Sequence, residues 1–340
     1  MDLFSFIMLG GGLAFFLYGM NVMSSGLERM AGGKLEGALR RMTSSLWKSL
    51  ALGAGITIAI QSSSAMTVML VGLVNSGIMD ISQTVGVIMG SNIGTTLTAW
   101  LLSLVGLETS NVALKLLKPE NFSLIFALVG AVMIMMGKQQ RKKDIGSIFV
   151  GFAVLMYGMK LMSNAVSPLA DAPEFASLLT AFENPLLGVL VGAVFTGIIQ
   201  SSAASVGVLQ ALALTGSITY GMAIPIIMGQ NIGTCVTALL SSVGTTKNAR
   251  RAAIVHLMFN VIGTIMGLVL FLLADALFSP AIFGQSANYL GISICHTLFN
   301  VLCTSVLLPS GGKVYVEGMD TLDEALLLAS CSPPAVQPGS

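Results

Sequence analysis

Nine apolar runs dominate this chain, at about 3–26, 49–77, 82–106, 122–137, 145–165, 186–217, 220–243, 252–274 and 289–308. A helix rises 1.5 Å per residue, so about 20 apolar residues cross a hydrocarbon core about 30 Å thick. Most of the runs meet that length, and 122–137 needs flanking residues to do so. They are continuously apolar, not alternating, which excludes a transmembrane barrel. Only 16 Lys or Arg and 15 Asp or Glu occur among 340 residues, 9% charged, where soluble domains carry roughly 25%. The chain therefore reads as an all-α polytopic membrane protein whose partner is the lipid bilayer. Its net charge of +1 lacks the basic footprint of a nucleic-acid binder.

Two runs, 49–77 and 186–217, are too long for one crossing and carry polar residues at their centres. They are copies of each other. A gap-free offset of 139 residues maps Tyr18-Gly19-Met20 onto Tyr157-Gly158-Met159, and Gln61-Ser62-Ser63-Ser64-Ala65 onto Gln200-Ser201-Ser202-Ala203-Ala204. It also maps Ile88–Ala99 onto Ile227–Ala238 with nine of twelve residues identical. Leu and Val matches between apolar segments mean little, but matching Gln, Asn, Ser and Thr within them mark a duplication.

Charge orients the two copies. Segment 27–48 holds Arg29, Lys34, Arg40, Arg41 and Lys48, whereas its counterpart 166–187 holds Asp171, Glu174 and Glu183 and no basic residue. Basic loops stay cytoplasmic, so the copies are expected in opposite orientations, the inverted-repeat plan of many secondary transporters. Loops 138–144 and 244–251 are also basic. All three fall on one side only if the two long runs dip in and return. The expected architecture is two inverted-topology repeats, each with a re-entrant helical hairpin, with about seven crossings plus two hairpins. The parts are a first repeat (1–137), a basic cytoplasmic linker (138–144), a second repeat (145–274), one further helix (275–308) and a short cytoplasmic tail (309–340) expected to be disordered. The first run lacks a basic leader and a cleavage site, so it is expected to stay as a helix. Gly53, Gly55, Gly72 and Gly77, with Gly192, Gly197, Gly207 and Gly216, suit tight packing and reversals in the hairpins.

The polar centres are where chemistry can sit. Gln61, Ser62, Ser63 and Ser64, and Gln200, Ser201 and Ser202, put amides and hydroxyls at broken helix ends, an arrangement suited to an anion. Ser and Thr can also serve only as small packing residues. The second pair of stretches supplies Asn92, Thr95 and Thr98, and Asn231, Thr234 and Thr237, neutral oxygens that suit a hard cation such as Na⁺. No Asp or Glu lies well inside a run, which disfavours proton relay. An anion would then be neutralised by co-bound cations and helix dipoles. Lys160 is expected to snorkel. His256-x-x-Phe259-Asn260 and His296-x-x-Phe299-Asn300 form an echo read as structural hydrogen bonding. Cys235, Cys295, Cys303 and Cys331 have no pairing or metal spacing, and no base accompanies the serines, so no enzymatic role is expected.

The doubled Gln-Ser-Ser motif, each copy followed by Met-Gly-x-Asn-Ile-Gly-Thr, resembles the type II sodium/phosphate cotransporter family, bacterial branch, over about 5–308. The resemblance implies symport of inorganic phosphate with Na⁺ by alternating access in the inner (plasma) membrane, and often a homodimer. It implies no organic cofactor. By position, Gln61, Ser62, Ser63, Ser64, Gln200, Ser201 and Ser202 would line the substrate and ion sites, joined by Asn92, Thr95, Asn231 and Thr234. Two departures stand out: Ala203 replaces a serine of the second motif, and the tail after Pro309 is too short for the PhoU-like domain of many relatives. Rival readings are a cation-coupled carrier of another small anion (sulfate, arsenate or an organic acid) and a phosphate-sensing receptor that transports nothing.

Overall fold

The computed structural model describes residues 3–32, 37–39, 45–104, 119–166 and 183–309. Lys34, Arg40, Arg41, Asp171, Glu174, Cys331 and the tail beyond 309 therefore lie outside the described residues. Eleven α-helices run through them: α1 (Leu3–Ala31), α2 (Leu46–Ile60), α3 (Ser63–Asn75), α4 (Ile81–Ser103), α5 (Pro119–Met136), α6 (Gln140–Val166), α7 (Pro185–Ile199), α8 (Ser202–Ala213), α9 (Tyr220–Ser241), α10 (Lys247–Phe278) and α11 (Tyr289–Leu307). No sheet occurs among the described residues beyond one isolated bridge, Thr219 to Ser286. Six helices (α1, α4, α6, α9, α10 and α11) are long and apolar enough to cross a membrane. Helix α5, the seventh expected crossing, is apolar over Phe122–Met136 but shorter than these six.

Each over-long run is two helices. The chain leaves α2 at Gln61 in the left-handed conformation (φ 54°, ψ 30°), passes through extended Ser62, and enters α3. The same sequence of states recurs at Gln200 (φ 53°, ψ 27°) and Ser201 between α7 and α8. Packing against the following helix fixes where these pieces lie. Gly86 sits against Leu46, Gly90 against Leu50, and Gly94 against Ala54, so α2 and α4 run parallel. Helix α3 must therefore lead back along α2 for α4 to start beside the start of α2. In the second copy Gly229 meets Val189 and Gly233 meets Ala193, so α7 and α9 are parallel and α8 returns in the same way.

Equivalent helices of the two copies, α1 and α6, pack antiparallel. Gly12 approaches the Gly158 carbonyl, and Gly19 that of Gly151. The 139-residue offset turns the first contact into the second, so this pair carries an approximate two-fold axis across its length. One end of the pair is tied by the Arg29 Nε–Asp144 Oδ1 ion pair at 2.7 Å, with Gln140 Nε2 donating to the same oxygen at 3.1 Å. Arg29 and Asp144 thus meet at that end. The hairpin bases lie at opposite ends of α10. Thr246 N, at the start of α10, donates to Asn75 Oδ1 at 2.9 Å. Beyond its far end, Ala287 N donates to Ile218 O at 2.7 Å and Ser286 Oγ to Gly216 O at 2.6 Å.

Among the hairpin glycines, the roles expected from sequence divide. Gly53 and Gly192 are pressed against Val87 and Ile226 respectively, and Gly77 and Gly216 reverse the chain at φ 70° and 72°. Gly55 and Gly72 meet nothing within 4 Å among the described residues, which gives them no packing role there. In lipid, helix association rests on close backbone approach at small residues, because tails are as apolar as the side chains they would replace. Replacing Gly90 or Gly229 by Leu should therefore drive α2 from α4, or α7 from α9, costing about 1–3 kcal/mol or more. Gly55→Leu should leave the apparent Tm of the detergent-solubilised protein unchanged. Equal melting temperatures for all three variants would refute this packing account.

Candidate anion and cation site

The two Gln-Ser-Ser turns meet. One cavity of about 80 Å³ is lined by Gln61, Ser62, Ser63 and Ser64 from the first hairpin and by Gln200, Ser201, Ser202 and Ala203 from the second. Thr95 and Thr98 of α4 and Met20 of α1 complete it. One water needs roughly 10–15 Å³ of such space, so several waters, or a small polyatomic ion, fit.

Local sequence explains the turns. A non-glycine residue in the left-handed conformation costs about 1–2 kcal/mol, and glutamine stands there in both copies. The gain at Gln61 is visible: Nε2 donates to the Ile58 carbonyl at 2.7 Å, and Oε1 accepts from Thr98 Oγ1 at 3.0 Å. Gln200 lacks both bonds, and its side chain is exposed. Ser62 and Ser201 act as N-caps, their oxygens accepting from the Ala65 amide at 3.1 Å and the Ala204 amide at 3.2 Å. Their carbonyls accept from Met66 N and Ser205 N. The first turn of a helix leaves its leading amides without intrahelical partners. Those that remain, on Ser63 and Ser64 in α3 and on Ser202 and Ala203 in α8, belong to residues that line the cavity. Two helix N-termini therefore face one space, each carrying roughly half a positive charge. Ala203 lacks a hydroxyl, yet its position contributes an amide.

No carboxylate, lysine or arginine among the described residues lines the cavity. Donors are backbone N–H groups, hydroxyls and the glutamine side-chain N–H groups, and acceptors are hydroxyls, amide oxygens and the Met20 thioether. Such a lining can hold an oxyanion on its donors while a hard cation sits on its neutral oxygens.

All seven residues read from sequence as substrate-binding come together here. The six read as ion-binding do not. Thr95 and Thr98 line the cavity, whereas Asn92 is buried and donates from Nδ2 to Asn260 Oδ1 at 2.8 Å. In the second copy Thr234 Oγ1 donates to the Gln230 carbonyl at 3.0 Å, Asn231 Nδ2 reaches the Ile227 carbonyl at 3.5 Å, and Thr237 Oγ1 is buried without a partner among the described residues. The copies differ behind the turns too. Thr57 Oγ1 donates to Ser91 Oγ at 2.8 Å, while Thr196 Oγ1 and Gln230 Oε1, at the equivalent positions, have no partner among the described residues. The His–Asn echo is a backbone feature: Asn260 and Asn300 each donate to the carbonyl of the histidine four residues earlier at 2.9 Å. Neither imidazole has a hydrogen-bond partner among the described residues, contrary to the structural bonding expected for them. Sequence reasoning missed Met20 as a lining residue. Its signal was its place beside a duplicated Tyr-Gly pair that packs α1 on α6.

Comparison with known proteins agrees with this picture. A family model described as Na⁺/Pi-cotransporter matches residues 15–164 and again 154–294. The chain is 30% identical over 306 residues to the uncharacterized protein YqeW of Bacillus subtilis, covering 89% of this chain and 94% of that protein. It is 25% identical over 255 residues to the putative inorganic phosphate export protein YjbB of Escherichia coli, covering 75% of this chain but only 45% of YjbB. Over 95 residues it is 40% identical to human sodium-dependent phosphate transport protein 2B, 26% of this chain and 14% of that protein. No solved structure matches. With the family model matched twice across the span that holds both hairpins, this chain belongs to the Na⁺/Pi-cotransporter family, a family of membrane transporters.

Proposed function

We propose that the protein is a sodium-coupled symporter of inorganic phosphate that works by alternating access between two inverted repeats. The observation that carries this reading is the meeting of two half-helix N-termini, rich in serine hydroxyls, in a cavity where no described lining residue is charged. Phosphate takes the amides and hydroxyls. Na⁺ takes neutral oxygens, among them Gln61, Thr95 and Thr98, and supplies the positive charge that two helix ends only partly provide. Asn92, Asn231, Thr234 and Thr237 lie behind the cavity and shape the ion sites from there.

The hairpins are re-entrant in this reading, one from each face. Support comes from their bases at opposite ends of α10 and from the antiparallel α1–α6 pair. The meeting of Arg29 and Asp144, which belong to the Lys- and Arg-rich sequence segments 27–48 and 138–144, supports a cytoplasmic position for that end. A relative named as a phosphate export protein favours a second direction of net flow; the same site serves it when the gradients reverse.

In proteoliposomes, radiolabelled phosphate uptake should require an inward Na⁺ gradient. Equal uptake with K⁺ or choline would sink sodium coupling, and stronger competition by sulfate or an organic acid than by unlabelled phosphate would sink the substrate. A hydrogen bond to a charged group contributes about 1.5–3 kcal/mol. Ser63→Ala and Ser202→Ala should therefore raise the apparent KM for phosphate about ten- to hundredfold while leaving the protein folded. Normal KM in both would return these serines to packing. Gln61→Gly keeps the left-handed turn and removes only the side chain; it should raise the Na⁺ requirement, and an unchanged Na⁺ dependence would exclude Gln61 as an ion ligand.

A further inference from the structure

We propose that Met20 is a modification site through which a hydroperoxide closes the anion cavity. The inference rests on the proposed function for its transport readout only. Ser201 Oγ has one hydrogen, and it is donated to Met20 Sδ at 3.6 Å while the same oxygen accepts from the Ala204 amide at 3.2 Å. A thioether is a weak acceptor, so Ser201 can turn its hydrogen toward an arriving anion at little cost. Met20 is half-buried and lines the cavity. Its counterpart in the second repeat, Met159, is fully buried, and so is Met162 on the same helix. The duplication thus leaves one copy of this methionine open to whatever fills the cavity and seals the other.

A hydroperoxide is small enough to enter. The sulfur lone pair attacks one peroxide oxygen, the S–O bond forms and the O–O bond breaks. The departing hydroxide (or alkoxide) takes the remaining proton and leaves as water (or alcohol). Sulfur is oxidised by two electrons and the peroxide is reduced. The product is the sulfoxide, which methionine sulfoxide reductases reverse. Its oxygen is a strong acceptor placed beside the Ser201 hydroxyl. It holds that hydrogen, takes up room in a cavity of about 80 Å³, and turns the negative end of a dipole toward the anion.

The test exposes the reconstituted protein to hydrogen peroxide and follows two quantities. Peptide mass spectrometry reads oxidation of Met20 against Met159. Phosphate uptake is read as the ratio of treated to untreated vesicles, for wild type and for Met20→Leu, each normalised to its own untreated rate. Met20 should oxidise before Met159, and phosphate with Na⁺ should slow it. The wild-type ratio should fall about tenfold, the worth of one hydrogen bond to an anion, and recover with the reductases; the Met20→Leu ratio should stay near one. If Met20→Leu does not fold, loss and reductase rescue of wild-type uptake should track the Met20 sulfoxide seen by mass spectrometry and not that of exposed Met30 or Met135; tracking the latter would overturn the proposal. Oxidation of Met159 as fast as Met20, full Met20 oxidation without loss of uptake, or equal loss in Met20→Leu would each overturn the proposal. Absence of uptake in untreated vesicles would overturn the transport reading instead, and the order of oxidation with its slowing by phosphate would still judge this one.

Discussion

An unpaired backbone amide or carbonyl in hydrocarbon costs several kcal/mol, and the rest of this structure follows from how that constraint is met. Among the described residues, each long apolar run forms a helix that is broken within the run only where Gln-Ser interrupts it. At those two places the chain leaves α2 and α7 and re-enters α3 and α8, releasing leading amides that need partners. Capping by Ser62 and Ser201 satisfies some of them. The remainder are brought face to face around a shared cavity, where water or an anion can complete them. The breaks that would be faults elsewhere in the bilayer are collected at one point, and that point is the candidate site.

Bringing the turns together depends on close packing of the flanking helices. Parallel α2–α4 and α7–α9 pairs hold each turn at the level of Thr98 and its neighbourhood, through glycines at equivalent positions in both copies. The antiparallel α1–α6 pair joins the copies to one another, and Met20 on α1 reaches Ser201 of the other copy. Symmetry is close at the backbone, where Gln61 and Gln200 share dihedral angles to within a few degrees. It fails at side chains: Ala203 stands opposite Ser64, Gln230 opposite Ser91, and Gln200 makes neither bond that fixes Gln61. Two frames of one design therefore offer unequal ligands to the shared cavity.

A great deal of this was legible in the chain itself. Nine apolar runs, few charges and a 139-residue repeat established an all-helical membrane protein with two copies of one unit, because helix length in lipid and the scarcity of charge leave few alternatives. Matching Gln and Ser at the centres of two over-long runs also identified the residues that line the cavity, since polar groups persist in such runs only where something meets them. What the chain could not show was contact between segments far apart in sequence. Thr95 and Thr98 reach the cavity while Thr234 and Thr237 do not. Asn92 turns to Asn260, and a methionine indistinguishable by type from twenty others opens onto the site. These outcomes depend on helix rotation and on packing distances of a few tenths of an ångström, which periodicity does not encode. The sequence alone determined the class, the duplication and the lining serines; tertiary structure decided which copy of each polar residue faces the cavity, because only side-chain packing breaks the symmetry that the duplicated backbone preserves.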